Sequence, residues 1–377
     1  FKQKTAYEML RSLVGSEMCI RDSLQGIPSE SALGRRHSIV NPSAVTVIEI
    51  IPDAGLGSFS LNLSQEIPRN AFVNLEWFAS ATGQAGKANR LLLQRTDHLR
   101  ETENAAQIAM ESLFLSPEDY GVRIERTPLG YVSLTTDRLI FDPRIEELLL
   151  GRLRGFPLQR VTVSLAETVR AGERDVWYVT MAALPFADSP PLGPFQDMDG
   201  QPVSQPAIDE CVVNEWLAER LNIRPGDSID VTWFTPETQN GQVERQRSRL
   251  TVIAIIAMQG SANDPFLVPE VQGLTDKASI ADWDPPFPFD ASRVTKTDEE
   301  YWERYRATPK IFVSPEFAAK YWKSRFGSTT SLRVVPRDGV DVPELRERLK
   351  FSLAELGWPV QPIRICLLYT SPSPRDS

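Results

Sequence analysis

Histidine and cysteine, the side chains that most often build metal and nucleophile sites, are scarce in this 377-residue chain. Its two histidines, His37 and His98, lie far apart in sequence, and it has three cysteines. The patterns H-E-x-x-H, paired C-x-x-C and G-x-S-x-G are all absent. The sequence therefore predicts no catalytic, cofactor-binding or metal-binding residue, and we expect that the protein is not an enzyme.

Long apolar runs are also lacking. Between the two termini the longest run, Val252–Met258, is far shorter than the roughly 20 residues that a membrane helix needs. The stretch from Gly83 to Lys87 ends like a phosphate-binding loop, but Ala81 stands where that loop needs glycine and Ala88 where it needs serine or threonine. We therefore expect neither a membrane helix in this stretch nor a nucleotide site.

The two termini correspond to one DNA sequence read on opposite strands. A DNA sequence that encodes SLVGSEMCIRDS, residues 12–23, has a reverse complement that encodes CLLYTSPSPRDS, residues 366–377. This relation is typical of a fragment flanked by sequencing adapters and translated through them. We therefore interpret residues 1–23 and 366–377 as adapter-derived artefacts and exclude them from fold prediction.

Basic residues are fewer than acidic ones, 41 against 50, and the net charge at pH 7 is −9. Phosphate backbones are bound by clustered lysine and arginine, so this balance argues against nucleic acid as a partner. Outside the adapter-like termini the one cysteine is Cys211, which lies in an apolar run and has no internal partner for a disulfide. The cysteine content therefore does not determine whether the protein lies in an oxidising or a reducing compartment.

The clearest structural pattern is Cys211–Phe234, which predicts a strand, a helix, a tight turn and a second strand. Asn214 is a favoured helix N-cap, and Asn222 tolerates the left-handed conformation that ends a helix. Residues 224–227, R-P-G-D, suit a type II turn. The apolar positions of the helix and the second strand are Leu217, Leu221, Ile229, Val231 and Trp233.

The remaining elements follow from periodicity and capping signals. Asp142 predicts an N-cap, and Thr297 with Glu300 predicts a capping box. If the following helix packs on the core, Tyr301, Trp302 and Tyr305 are predicted to face it. The predicted helices are 75–80, 101–114, 143–153, one that begins at the capping box and ends before Pro309, 315–323 and 342–356. The predicted strands include 45–51, 71–73, 90–93, the hairpin 122–126 and 131–134, 158–169, 176–183, 250–257, 310–313 and 331–335.

Two short patterns recur in the same order and predict a duplication. T-V-I-x-I-I occurs at 46–51 and at 251–256, and F-V-x-x-E occurs at 72–76 and at 312–316. If the copies share a fold, Val47 and Val252 face the same way in their sheets. In the same case, Trp77 and Phe317 pack in equivalent places.

Two functional alternatives stay open beside structural explanations. Asp282, Asp284 and Asp290 carry the oxygen ligands that Ca²⁺ prefers, although their loop lacks the spacing and glycine of a known calcium loop. The aromatic and acidic residues of 299–305 predict either a helix packed on the core or a partner surface.

The segment Val213-Asn214-Glu215, Leu217-Ala218, Leu221 and Pro225-Gly226-Asp227 resembles the extracytoplasmic domain of MacB/FtsX-type ABC transporter permeases, the MacB-like periplasmic core domain. Residues 68–73 and 281–289 are similar to other segments of large FtsX-like permeases. The resemblance extends over nearly all of 24–365. With the periodicity, it implies an α+β fold with duplicated β-rich subdomains, strand-helix-strand units and an α/β porter-like middle part.

The expected division follows these segments. Residues 24–100 are predicted as a first, N-terminally truncated β-rich subdomain and 101–185 as an α/β porter-like subdomain. Residues 208–365 are predicted as a second β-rich subdomain with an α/β unit, after a proline-rich connection.

By the resemblance, the chain is the extracytoplasmic part of a cell (inner) membrane permease. It would couple ATP-driven movement of membrane helices to an external substrate or partner. The implied partners are a separate ATP-binding subunit and a possible second permease copy. The alternative is a secreted or periplasmic binding module without a transport role.

Overall fold

The structure, a computed structural model, describes residues 46–52, 70–82, 85–86, 105–235, 244–271, 273–285, 287–337 and 340–358. Helices and strands are mixed along the chain, which confirms the α+β class. The helices are α1 Leu75–Ala81, α2 Ala105–Ser112, α3 Pro143–Arg152, α4 Glu215–Leu221, α5 Lys296–Tyr305, α6 Pro315–Tyr321, α7 Val342–Arg348 and α8 Leu353–Leu356. The strands are β1 Phe114–Leu115, β2 Val122–Arg126, β3 Val132–Thr136, β4 Leu158–Ala171, β5 Arg174–Ala183, β6 Glu210–Asn214, β7 Ser228–Phe234, β8 Arg245–Ile256, β9 Ile311–Val313, β10 Ser331–Val334 and β11 Phe351–Ser352.

The chain divides into two compact units. Among the described residues, the first unit lies within 114–351, and the second is drawn from 46–113 and 352–358. Every strand of the large sheet belongs to the first unit.

The large sheet has nine strands in the order β2-β3-β10-β4-β5-β9-β6-β8-β7. It takes strands from both 101–185 and 208–365, so these two predicted subdomains do not form separate sheets. The predicted division of the chain is otherwise untested and stays a prediction. Pairing is antiparallel except between β5 and β9 and between β6 and β8.

Strand β4 closes part of this sheet into a ring. Its first residues pair with β10, while Ala166–Arg170 pair with β7. Its other edge pairs with β5. Because β5 and β7 are the two ends of the run β5-β9-β6-β8-β7, these five strands and β4 form a closed barrel, which leaves no free edge within the ring.

The core of the barrel follows from alternation along the strands. Ile229, Val231 and Trp233 on β7 are fully buried, and Asp230 and Thr232 between them are partly exposed. The same core includes apolar residues of α4 and α6, such as Leu217 and Phe317. The sequence-predicted alternation therefore gives the inward face of β7.

A bulge lies where β4 pairs with β7. Glu167 is the extra residue in the pairing with β7, whereas the register with β5 continues unchanged on either side of it, and Tyr178, the residue of β5 opposite Glu167, has a left-handed φ of 54°. The carboxylate of Glu167 accepts two hydrogen bonds from Arg245, at 2.5 and 2.7 Å. A bidentate ion pair thus joins β4 to the start of β8 over the intervening strand β7.

Most local predictions in the described residues are confirmed. The hairpin is β2 and β3, and the strands around Gly172 are β4 and β5. Asp142 caps α3 by accepting hydrogen bonds from the backbone N–H groups of Arg144 and Ile145. The predicted strand 90–93 lies outside the described residues, as do both adapter-like termini.

Four local predictions are wrong. One is the strand 45–51, whose described residues 46–51 are not a strand. The capping box of α5 uses Thr295 and Asp298, two residues before the predicted pair Thr297 and Glu300. The predicted helix 342–356 is two helices, α7 and α8, which are separated by the short strand β11. Ser352 caps α8. Residues 71–73 are not a strand but lead directly into α1, which Asn74 caps.

The duplication is not supported by the described residues. Residues 46–52 contain no strand, whereas the matching segment lies inside β8. Val47 is 74% exposed and Val252 is 0% exposed, and Trp77 is 41% exposed where Phe317 is fully buried. The two copies share only their local part, a capped seven-residue helix after F-V. Within the described residues the two copies therefore differ beyond this local part, and the rest of the first copy lies outside those residues.

Candidate functional site: a charged cleft beside helix α4

The segment that carries the family resemblance folds as predicted. The side chain of Asn214 accepts a hydrogen bond from the backbone N–H of Leu217 at 2.9 Å, and Asn222 ends α4 in the left-handed conformation. Gly226 has a φ of 98°, and the backbone N–H of Asp227 donates to the carbonyl of Arg224, as a type II turn requires. Each polar position of the pattern thus stabilises the joint.

The same segment is tied to residues far along the chain. The amide nitrogen of Asn214 donates to the hydroxyl of Tyr301 at 3.0 Å, and that hydroxyl donates to the carbonyl of Thr308. The carboxylate of Glu215 accepts a hydrogen bond from the backbone N–H of Met258. These ties fix α4 against α5 and against the end of β8.

A buried lysine lies beneath this joint. The ammonium group of Lys310 is 4.6 Å from the ring centre of Trp216 and 4.3 Å from that of Tyr301. Burial lowers the pKa of Lys310 to about 8, against the charge of Asp298, which acts in the opposite direction. Burial also raises the pKa of Tyr301.

A cleft of about 200 Å³ lies beside α4 and the start of α5. Its charged lining residues are two cations, Arg220 and Arg293, and two anions, Asp175 and Asp298. The guanidinium of Arg293 lies 4.8 Å from the ring centre of Trp177. The remaining lining residues are Val176, Ser292 and Thr295.

An aromatic cluster packs the 260–293 connection against the sheet. Trp283, Phe287 and Phe289, all from the segment with permease-like sequence, pack with Tyr178 and Trp302. The hydroxyl of Tyr178 accepts a hydrogen bond from the backbone N–H of Asp290 at 2.8 Å. Tyr301 and Trp302 are buried, and Tyr305 is half-buried, so the prediction that this helix packs on the core is confirmed for Tyr301 and Trp302.

A second buried charge cluster fixes the start of the same connection. Asp264 and Arg333 are both fully buried and form an ion pair at 2.9 Å. The hydroxyl of Tyr131 donates to Asp264 at 2.7 Å, and Arg333 also donates to Gln159. Burial raises the pKa of Asp264, and the contact with Arg333 opposes this rise. Removing either partner would leave the other charge buried without its counter-charge.

Two of the three acidic residues considered for calcium lie at short 3₁₀ helices. Asp290 caps the 3₁₀ helix Ala291–Arg293, and its pKa is lowered by the hydroxyl of Ser292. Asp282 ends another 3₁₀ helix, Ile280–Asp282. In the described part of the chain, no three histidine, cysteine, aspartate or glutamate side chains come together as metal ligands. His37 and His98 lie outside it.

Sequence inspection missed the cleft and the two buried cations. Lys310 and Arg333 each appear as single charges in predicted strands. The partner Tyr301 of Lys310 lies in helix α5, and the partner Asp264 of Arg333 lies far away in sequence in a loop. The signal that could have indicated burial was the position of both cations within short β-branched runs.

Replacing Asn214 by alanine is expected to lower the free energy of unfolding by about 2 kcal/mol, because it removes a helix cap and a buried hydrogen bond to Tyr301. The matched control is Asn74→Ala, since Asn74 caps α1 at the same 2.9 Å without a buried second partner. We expect that control to cost about 1 kcal/mol or less. Urea denaturation of both variants measures the difference, and equal losses would contradict the prediction.

No protein-family model matches the chain, and no curated protein matches it. Among solved structures it is similar to the periplasmic region of MacB from Actinobacillus actinomycetemcomitans, with a TM-score of 0.32, 9% identity, and coverage of 59% of this chain and 84% of that chain. It is also similar to the extracellular domain of the noncanonic ABC-type transporter YknZ from Gram-positive bacteria, with a TM-score of 0.30, 10% identity, and coverage of 56% and 79%. At these TM-scores the likenesses carry no functional inference.

Proposed function

We propose that the chain is the extracytoplasmic domain of an ABC transporter permease subunit of the MacB/FtsX type. The observation that supports this is the joint around α4. Residues shared with the family pattern are the ones that build it: Asn214 and Glu215 make the long-range ties, Leu217, Ala218 and Leu221 are buried, and Gly226 has the φ that the turn needs.

In this proposal the domain transmits movement rather than performing chemistry. A separate ATP-binding subunit would drive the membrane helices, and this domain would carry their displacement to an external substrate or partner. A closed barrel suits that role because a sheet without free edges and with a packed core deforms little under load.

The remaining parts of the proposal follow from this role. The chain acts without catalytic residues, cofactor or bound nucleotide, lies outside the cytoplasm as part of an inner-membrane protein, and pairs with a second permease copy. Among the described residues no helix is long and apolar enough to cross a membrane. The membrane helices that the proposal needs would therefore come from elsewhere in the gene.

Sequencing the source DNA on both sides of the segment tests the proposal. We expect an open reading frame that continues on each side into apolar runs of about 20 residues. A cleavable signal peptide directly upstream and a stop codon directly downstream would contradict the permease and favour the secreted or periplasmic binding module.

A further inference from the structure

Half of strand β8 has an unpaired edge in the part of the chain that the structure describes. Strand β7 pairs with Arg245–Thr251, whereas β6, on the other side of β8, pairs only with Thr251–Ile256. Among the described strands, residues 245–250 therefore extend past the ring with a neighbour on one side only. Such an edge presents backbone N–H and C=O groups to another extended chain.

Three backbone hydrogen bonds determine which residues of β8 face this edge. The carbonyl of Glu244 accepts a bond from the residue after β7, and the N–H of Val252 donates to the residue before β7. The N–H of Thr251 donates to the other side, to the residue before β6. Because successive residues of a strand direct their backbone groups to opposite edges, the odd-numbered residues of the unpaired stretch face the free edge. These residues are Arg245, Arg247 and Arg249.

The three arginines also share one face of the sheet. The residues between them lie opposite buried residues of β7, so the arginine side chains point to the outer face. Their exposed fractions are 52%, 61% and 71% in chain order, so a partner can reach them from solvent. One row of side chains therefore carries both the edge-facing backbone groups and the charge.

This row has more positive than negative charge. Arg245 pairs with Glu167, whereas Arg247 and Arg249 share Asp230, at 2.8 and 3.1 Å. Among these described side chains, three guanidinium groups thus face two carboxylates. Each guanidinium has five N–H donors, so donors remain for a further acceptor.

The charge selects which strand this edge accepts. Pairing β8 with β8 of a second copy would bring two rows of arginine together, and like charges on neighbouring strands are destabilising. The same repulsion protects the edge from other basic or uncharged edges, as charged residues on edge strands commonly do. A strand with acidic side chains on the same face reverses the sign of this interaction.

We propose that residues 245–250 bind an extended acidic segment of a partner protein by strand addition. The backbone of the segment pairs with the edge-facing groups of the three arginines. Acidic side chains at every second position of the segment contact the arginine row on the outer face. In this mode of recognition the main-chain hydrogen bonds supply affinity, and the alternate side chains supply specificity.

Hydrogen exchange of the full chain tests whether the edge is free. We expect the amides of the three arginines to exchange at least about tenfold faster than those of the residues between them, which bond to β7. Adding the acidic peptide described next should slow the arginine amides. Equal protection of both sets in the protein alone would show that the edge is already covered and would overturn the inference.

Calorimetric titration with blocked peptides tests the charge and the backbone contact separately. The probe is E-T-E-T-E-T, and K-T-K-T-K-T should bind at least about tenfold more weakly. Two further probes have the first sequence with N-methyl groups, either on every glutamate nitrogen or on every threonine nitrogen. In an antiparallel pair, a residue opposite an edge-facing residue shares its face and bonds back to it. Methylation of the glutamate nitrogens should therefore weaken binding at least about tenfold, and methylation of the threonine nitrogens by less than about threefold.

Two results of this titration would overturn the inference. No binding of E-T-E-T-E-T up to about 1 mM would show that the edge accepts no acidic strand. Equal binding of the two methylated peptides would show attraction between charges without strand addition. Loss of binding on methylation of the threonine nitrogens alone supports strand addition in the parallel direction.

A pair of variants at one position provides an independent test. Arg247→Pro and Arg247→Ala both remove the charge, but only proline also removes the N–H that points to the edge. Because this N–H points away from β7, proline leaves the pairing with β7 in place. We expect the alanine variant to bind E-T-E-T-E-T about threefold more weakly and the proline variant at least about tenfold more weakly. Equal losses would contradict the backbone contact, and none of these results bears on the permease proposal, which the flanking DNA sequence decides separately.

Discussion

Replacing Asp264 by alanine is expected to lower the free energy of unfolding by about 3–5 kcal/mol. The change removes the carboxylate that faces Arg333 and Tyr131 and leaves a guanidinium buried without its counter-charge. Water cannot solvate that charge, because the side chains of Asp264 and Arg333 are both 0% exposed. The loss therefore comes mainly from the unpaired charge rather than from the missing ion pair itself.

Chemical denaturation of three variants measures this effect and its cause. Asp137→Ala is the control, since Asp137 pairs with Arg123 at 2.7 Å on the surface and should contribute less than about 1 kcal/mol. The double variant Asp264→Leu with Arg333→Met should recover much of the loss, because it leaves no buried charge. A loss below about 1 kcal/mol for Asp264→Ala would show that the pair does not fix the 260–293 connection.

Replacing Lys310 by methionine is expected to stabilise the protein at neutral pH by about 2 kcal/mol. The lysine pKa falls from 10.5 to about 8 on folding, which means that folding disfavours its charged form. Contacts with the Trp216 and Tyr301 rings offset part of that cost. Methionine keeps the length and the contacts with both rings but carries no charge.

The gain from Lys310→Met should depend on pH in one direction. Below pH 8 the wild-type lysine is charged in both states, so the full cost is present. Between about pH 8 and 10.5 the folded state releases its proton while the unfolded state keeps it, so wild-type stability rises with pH. The difference between variant and wild type should therefore shrink across this range.

Denaturation of both proteins at several pH values checks this dependence. Taking the difference cancels the other titrating groups, except for Asp298 and Tyr301, which face Lys310. Lys320→Met, at an exposed position beside Tyr321, is the control and should change stability by less than about 0.5 kcal/mol at every pH. A pH-independent gain would show that packing, rather than charge, limits stability at this site.

The sequence by itself determined the features that depend on neighbours within a few residues. Asn214, Asp142 and Asn222 act as predicted because a cap bonds to the backbone of the next or previous turn. The alternation of buried and exposed residues along β7 could be predicted because successive side chains of a strand point to opposite faces. The same local rules explain why both F-V-x-x-E segments begin a capped helix.

Only the tertiary structure decided which segments pair and which charges are buried. The β-branched residues 46–51 resemble 251–256 in sequence, but a strand needs a paired neighbour, and only the second segment lies between two strands of the barrel. Closure through β4 and β7, the ion pair of Asp264 with Arg333 and the cleft around Arg220 and Asp298 all join residues that are distant in sequence. Such contacts depend on chain topology and on the free energy of removing charges from water, and a local sequence pattern determines neither of them.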